Sequence, residues 1–260
     1  MRQVHLVIRD DREDVAPIVS SLRDLLTASD LPTVDDPSDA SFIIAIGGDG
    51  TVLSAAADAI RHDIPVCGIN VGRVGYLAEY EVSEMADLVA AIASGGHTLR
   101  EHGVVSVRTG STTALAVNDV VLEKVISQRI IEVAVTVNGR PLATYRTDGI
   151  IVATPLGSTA YSLSAGGPVL DPTLDALVMT PIAPHSLLTR PLVLGPDAVV
   201  ELTVAVDRPA RINVDGRELC TVPPGARVTV AKGDRTVRFI SLGRHPFPRA
   251  VREQFGLGHA

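Results

Sequence analysis

The sequence predicts an α/β domain followed by an all-β domain: a doubly wound parallel sheet at the N-terminus, then an antiparallel β-sandwich. Three observations predict it. Through about residue 100, continuous apolar strands alternate with stretches whose apolar residues recur at helical spacing. Beyond Gly103 a period-two alternation takes over, interrupted by Asn-Gly and Asp-Gly pairs. The composition of the 260 residues, 46% hydrophobic and 20% charged, is that of a packed chain with room for two modest domains.

Val4 to Ile8 reads as a short strand. Val15, Ile18, Val19, Leu22, Leu25 and Leu26 then line one face of a helix. A buried strand, Phe42 to Ile46, stops at Gly47-Gly48, and an alanine-rich helix follows from about Thr51 to Arg61. The strand IPVCGIN occupies 64–70. Met85, Leu88, Val89 and Ile92 mark another helix that ends at Gly95-Gly96. In the second region, EVAVTV (132–137) turns at Asn138-Gly139 into PLATYR (141–146), and RINV (211–214) turns at Asp215-Gly216 into REL. ARVTVA (226–231) reads as a third hairpin, turning at Lys232-Gly233-Asp234 into TVRFISL (236–242). The domains are therefore expected at 1–100 and 101–243. The tail, 244–260, has no clear pattern and is expected to pack back on the first domain.

A formal net charge of −7 argues against general affinity for nucleic acid or an anionic membrane. Lysine stands only at Lys124 and Lys232. No apolar stretch approaches the roughly 20 residues a bilayer span requires, and the acidic start has no signal-peptide core. Cys67 and Cys220 lie far apart in strand-like sequence and read as reduced packing residues. The expectation is a soluble cytoplasmic protein.

The stretch FIIAIGGDGTVLSAAADAI (42–60) sets a problem. Glycines where a strand gives way to a helix let a ligand approach the backbone. The N–H groups that open a helix attract anions. Gly47, Gly48, Gly50 and Thr51 are thus candidates to cradle phosphate, although the chain has neither G-x-x-x-x-G-K-[ST] nor G-x-G-x-x-G. Asp49 in their midst needs a task. It could accept the proton of a hydroxyl that attacks phosphate, help to hold Mg²⁺, or cap the helix.

A second constellation, RTDGIIVATPLGSTAYSLSAGGPVL (146–170), runs from a strand into hydroxylated and small residues suited to a ligand rich in hydroxyls. An ordinary loop of turn formers is the alternative. Asp148 and the Asn118-Asp119 pair are polar residues inside apolar strands, and each requires a partner in the protein or in a ligand. No histidine spacing points to a zinc site.

Together these stretches resemble the NAD kinase family: GGDGTVL (47–53), INVGRVGYLAE (69–79), AVNDVVLEK (116–124), TDGIIVATPLGSTAYSLSAGGPVL (147–170), PIAPHSLLTRPLVL (181–194) and NVDGREL (213–219), in the family's order. GGDGT alone is shared with diacylglycerol and sphingosine kinases. The long GSTAYSLSAGGPVL stretch is the specific signal.

The resemblance implies a phosphotransferase with an alcohol acceptor. It would transfer phosphate from ATP, or polyphosphate, to the 2′-hydroxyl on the adenosine ribose of NAD, with Mg²⁺ carried by the nucleotide rather than by a protein ligand set. By that similarity Asp49 is the proton acceptor and Gly47, Gly48, Gly50 and Thr51 hold the phosphate chain. NAD would meet Asp49, Gly50, Tyr76, Asn118, Asp119, Asp148, Thr159, Ala160, Tyr161 and Ser164. The family also implies a homo-oligomer built through the β domain. Leu156 departs from the family, which usually has a small polar residue there. The competing readings are a sensor that binds NAD or NADP without turnover, and a lipid kinase. The polar GSTAYS segment argues against the latter.

Overall fold

A computed structural model describes residues 2–8, 15–72, 75–185, 190–205, 208–244 and 246–256. Arg73, Val74 and residues 186–189, which fall within two of the motifs above, and His245 and residues 257–260 of the tail lie outside the described residues. The chain divides into two compact units, one formed by 1–101 with 237–260 and the other by 102–236.

In the first unit the elements run β1 (Val4–Ile8), α1 (Val15–Ala28), β2 (Thr33–Val34), β3 (Phe42–Ile46), α2 (Asp49–His62), β4 (Val66–Asn70), β5 (Tyr80–Glu81) and α3 (Met85–Ser94). Strands β2, β1, β3 and β4 pair in that order, all parallel, and β5 adds in parallel to the end of β4. Every residue of β3 and β4 is buried, the pattern of a sheet covered on both faces. Phe42, Ile44 and Ile46 share a core with Leu22 and Leu26 of α1 and Leu88 and Ile92 of α3. On the other face, a Cβ at Gly68 would stand 2.3 Å from Val52 Cγ2 of α2. That glycine lets helix and strand approach closely.

The second unit begins within β6 (Thr98–Thr109) and continues through β7 (Thr112–Ala116), β8 (Asp119–Lys124), β9 (Ile131–Val137), β10 (Arg140–Thr147), β11 (Gly149–Ala153) and the short α4 (Tyr161–Ser164). Then come β12 (Leu177–Ile182), β13 (Leu192–Leu194), β14 (Val200–Val204), β15 (Ala210–Val214), β16 (Arg217–Val222) and β17 (Arg227–Ser241). One antiparallel sheet has the order β13-β12-β11-β8-β15-β16, and the other carries β10-β9-β14-β17 with β6 and β7. Val120, Leu122, Ile150 and Val152 of the first meet Val133, Val135, Leu202 and Val228 of the second in a sandwich core.

The Asn138-Gly139 and Asp215-Gly216 pairs form their hairpins, with positive φ at all four residues (51°, 72°, 49° and 74°), as a type I′ turn demands. The third hairpin is not there. Strand β17 runs straight through Lys232-Gly233-Asp234. Gly233 serves close approach rather than a turn: its Cβ would stand 2.6 Å from Val104 Cγ2 and 3.0 Å from Leu115 Cδ2. The end of β17, from Val237, belongs to the first unit, where Phe239 pairs with Val66. The first unit thereby takes residues 237–243, which the alternation pattern groups with the β domain. The tail, patternless by sequence, holds a helix, α5 (Phe247–Gln254). Arg244 Nη1 of the tail donates to Asp87 Oδ2 of α3 at 2.7 Å.

Candidate functional site

In the first unit the chain leaves β3 at Gly47, whose φ of +149° and whose contact with Thr51 (Cβ to Oγ1, 2.4 Å) exclude a side chain. Gly48 is the N-cap of α2, and no side chain caps it. Asp49 is the first residue of the helix, so the capping role fails. Its carboxylate reaches instead to a turn some 27 residues on: Oδ2 accepts the Tyr76 N–H at 2.9 Å, and Oδ1 accepts those of Leu77 and Ala78 at 3.0 Å each. Such charge-assisted bonds hold the group in one orientation. Gly75 makes this possible, since a Cβ there would lie 2.0 Å from Asp49 Oδ1. Each carboxylate oxygen can accept about two bonds; among the described residues Oδ1 has two donors and Oδ2 has one. The Tyr76 hydroxyl is buried without a partner among the described residues. Burial, and then the charge of Asp49, push its phenol pKa up.

The second unit gathers the other candidates on the face of β8 and β11 away from the sandwich core, where Val121, Ile151 and Ala153 pack with Ala165 and Leu170. Asp215 organises one end. Its carboxylate accepts the N–H groups of Val117 (2.8 Å), Asn118 (2.7 Å) and Asp119 (3.2 Å). Thr154 pins the same segment, donating its hydroxyl to Val117 O at 2.6 Å. Gly157 fits because a Cβ would strike the Asn118 backbone at 2.1 Å. Asp119 is 4% exposed. Burial, and then the neighbouring Asp215, raise its pKa to about 7. Burial also raises that of Asp215, against the three N–H bonds that lower it.

The hydroxylated segment separates into two sets. Ser158 Oγ accepts the Leu170 N–H at 3.0 Å and Ser162 Oγ meets Thr180 Oγ1 at 2.9 Å, so both hold the loop itself. Thr159, Ala160, Tyr161 and Ser164 remain at least partly exposed. The Tyr161 phenol pKa is raised by burial and then by the charges of Glu123, Asp119 and Asp148, which marks these groups as neighbours. At the far end of β8, Lys124 Nζ pairs with Asp148 Oδ1 at 2.6 Å. That ion pair supplies the partner Asp148 requires. Leu156 lines a small cavity with His102, Pro172 and Leu174.

The structure thus brings Gly47–Thr51, Asp49 and Tyr76 together in the first unit. In the second, the segment that carries Thr159, Ala160, Tyr161 and Ser164 meets Asn118 through Gly157, and Tyr161 neighbours both Asp119 and Asp148, which stand at opposite ends of β8. Sequence reasoning missed the anchoring by Gly75, Thr154 and Asp215. The Asp-Gly dipeptide at 215–216 signalled a turn but not what its carboxylate would hold.

Comparison with known proteins decides the family. Residues 15–97 match the ATP-NAD kinase N-terminal domain, and residues 117–242 match the ATP-NAD kinase C-terminal domain. An NAD kinase of Heliobacterium modesticaldum is 37% identical over 282 residues, covering 99% of this chain and 100% of its own. The chain belongs to the NAD kinase family. The NAD kinase of Cutibacterium acnes is 40% identical, covering 88% of this chain and 77% of its own. Among solved structures, an NAD kinase from Archaeoglobus fulgidus in complex with ATP superposes with a TM-score of 0.84 at 26% identity, over 99% of this chain and 100% of that one. A yeast NADH kinase complexed with NADH shares the fold, with a TM-score of 0.86 at 20% identity over 100% of this chain and 89% of that one.

Proposed function

We propose that this chain is an NAD kinase that transfers the terminal phosphoryl group of ATP, or of polyphosphate, to the 2′-hydroxyl of the adenosine ribose of NAD, giving NADP. The observation that carries the mechanism is the posture of Asp49, fixed by three N–H bonds, with Oδ2 taking only one of them among the described residues. A ribose hydroxyl is a weak nucleophile at neutral pH. Oδ2 takes its proton as the oxygen attacks the γ-phosphorus; the new O–P bond forms, the bond to the bridging oxygen breaks, and ADP leaves. Gly47, Gly48, Gly50 and Thr51 form the turn that receives the phosphate chain; the Gly47 and Thr51 N–H groups bond to Ile69 O and Gly48 O, and those of Gly48 and Gly50 have no acceptor among the described residues.

Mg²⁺ fits as an ion brought by the nucleotide. Mg²⁺ beside phosphates is commonly held by one or two carboxylates together with the phosphate oxygens, and Asp49 stands at the turn that would receive them. When bound it neutralises the charge of the β- and γ-oxygens.

For NAD, Asn118 and Asp119 stand at one end of β8 and Asp148 at the other, roughly 17 Å apart at about 3.4 Å per residue. That span suits an extended dinucleotide, with carboxylates accepting ribose hydroxyls and Tyr161, 43% exposed, offering its ring. Tyr76 would line the adenine end. The two free cysteines, Cys67 and Cys220, support a cytoplasmic setting, and no helix of the described residues is long and apolar enough to cross a membrane. A homo-oligomer formed through the β domain belongs to the same reading.

The test is NADP formation from NAD and Mg-ATP by the purified protein, read through an NADP-specific dehydrogenase. Production of NADP is expected. NAD binding without production from ATP or polyphosphate would make the protein a sensor, and neither binding nor turnover would redirect the search to lipid acceptors.

A further inference from the structure

Asn70 ends β4 and is 5% exposed. Its side-chain oxygen accepts the Gly72 N–H at 2.9 Å, which settles how the carboxamide is turned. Its Nδ2, by contrast, is buried with no hydrogen-bond partner among the described residues. A buried amide donor left unmade costs roughly 1–3 kcal/mol, and a ligand, an ion or a water can supply the acceptor such a group requires.

The direction of the side chain follows from the strand. A Cβ at Gly68 would meet Val52 Cγ2 at 2.3 Å, so that side of β4 faces α2. Residues two apart on a strand share a face. Asn70 therefore faces α2 as well, one step nearer the carboxyl end of the sheet and opposite the first turn of the helix. The Gly47 N–H bonds to Ile69 O at 2.9 Å, which keeps the glycine turn level with the end of β4. Within that turn Thr51 and Val52 donate to Gly48 O, while the N–H groups of Gly48, Asp49 and Gly50 have no acceptor among the described residues. A Cβ at Gly48 or at Gly50 would meet nothing within 4 Å, and both residues are exposed.

We propose that Asn70 is a positioning residue for the phosphoryl donor: its Nδ2 donates to a non-bridging oxygen of the triphosphate chain, alongside the N–H groups of Gly48 and Gly50. The assignment rests on the phosphotransfer reading above and adds a residue to it. A neutral donor suits this position, because Asp49 already supplies the one negative charge the chemistry uses.

Asn70→Asp separates this role from a structural one. The aspartate keeps the size of the side chain and the oxygen that accepts the Gly72 N–H, but replaces the unpartnered donor by an anionic oxygen. Asn70→Ser keeps a small donor and serves as the milder variant. Binding of inorganic tripolyphosphate, of ATP and of NAD would each be measured by calorimetry on the purified full chain, with the steady-state KM for each substrate. Affinity for tripolyphosphate and ATP is expected to fall on the order of 10- to 100-fold in Asn70→Asp and less in Asn70→Ser, with NAD affinity unchanged in both. Wild-type affinity for tripolyphosphate in Asn70→Asp would overturn the assignment, as would an equal loss of NAD binding. A wild-type chain that binds neither ATP nor tripolyphosphate would overturn the phosphotransfer reading together with it.

Discussion

Two carboxylates, one partly exposed and one buried, show how environment separates the tasks of chemically identical side chains. Asp49 receives three N–H bonds and is held by them. Asp119 lies 4% exposed beside Asp215, and burial first, its neighbour second, lift its pKa to about 7. The folded chain then holds the Asp119 proton more tightly than the unfolded chain does, where an aspartate titrates near 4. This contribution to stability is complete below about pH 4 and is lost as pH rises through about 7. Asp119→Asn cannot ionise. Its stability in urea, relative to wild type, is expected to be roughly 2–3 kcal/mol more favourable at pH 8 than at pH 5; a gap independent of pH would refute the shift. Gly75 offers a second test. A methyl group there would stand 2.0 Å from Asp49 Oδ1, so Gly75→Ala must displace the carboxylate or its turn. A fall in kcat of roughly 10²-fold is expected, and an unchanged kcat would detach the Gly75 turn from catalysis. Asp49 was legible in the sequence because it stands between glycines where a strand ends. The work of Asp215 was not, since the N–H groups it holds lie 96 to 98 residues away and no local pattern records such a bond.

At the scale of elements, the sequence was read well where one period dominated. The helical spacing at Val15 to Leu26 and at Met85 to Ile92 became α1 and α3, and continuous apolar runs became β3 and β4. Asn-Gly and Asp-Gly predicted two hairpins, because both residues of those pairs accept positive φ. Lys-Gly-Asp at 232–234 misled for a physical reason: a glycine can mark a turn or a place where a neighbour leaves no room for Cβ, and the two look alike in one dimension. Gly233→Val puts this to the test. With Val104 Cγ2 at 2.6 Å and Leu115 Cδ2 at 3.0 Å from the Cβ position, the variant is expected to lose about 1–3 kcal/mol in urea denaturation. A variant as stable as wild type would argue for the turn after all. Helix α5 escaped notice because no residue of it is buried, so no apolar face of core type announced it.

Over the whole molecule, a chain of net charge −7 is proposed to act on two polyanionic substrates. Both of its lysines are committed to carboxylates, Lys124 to Asp148 and Lys232 to Asp175, each at 2.6 Å. On the proposed reading the phosphates meet the oriented backbone N–H groups that open α2 and the neutral donor of Asn70, so that a carboxylate and a phosphate chain stand side by side without a lysine. The fold class and the family were legible at this scale because the motifs recur in one order along the chain. The pairing of Val66 with Phe239 was not, for it joins strands over 170 residues apart. On the proposed mechanism Asp49 accepts the proton of the attacking hydroxyl. The most direct test of this step is single-turnover formation of NADP by Asp49→Asn with ATP and NAD saturating and their binding measured separately. Asparagine keeps the shape and, through its one oxygen, an acceptor for the Leu77 and Ala78 N–H groups; it loses the acceptor for Tyr76 N–H and takes up no proton. A rate lower by several orders of magnitude, with both substrates still bound, is the expected result; a variant that forms NADP at a rate within a few-fold of wild type would contradict the account.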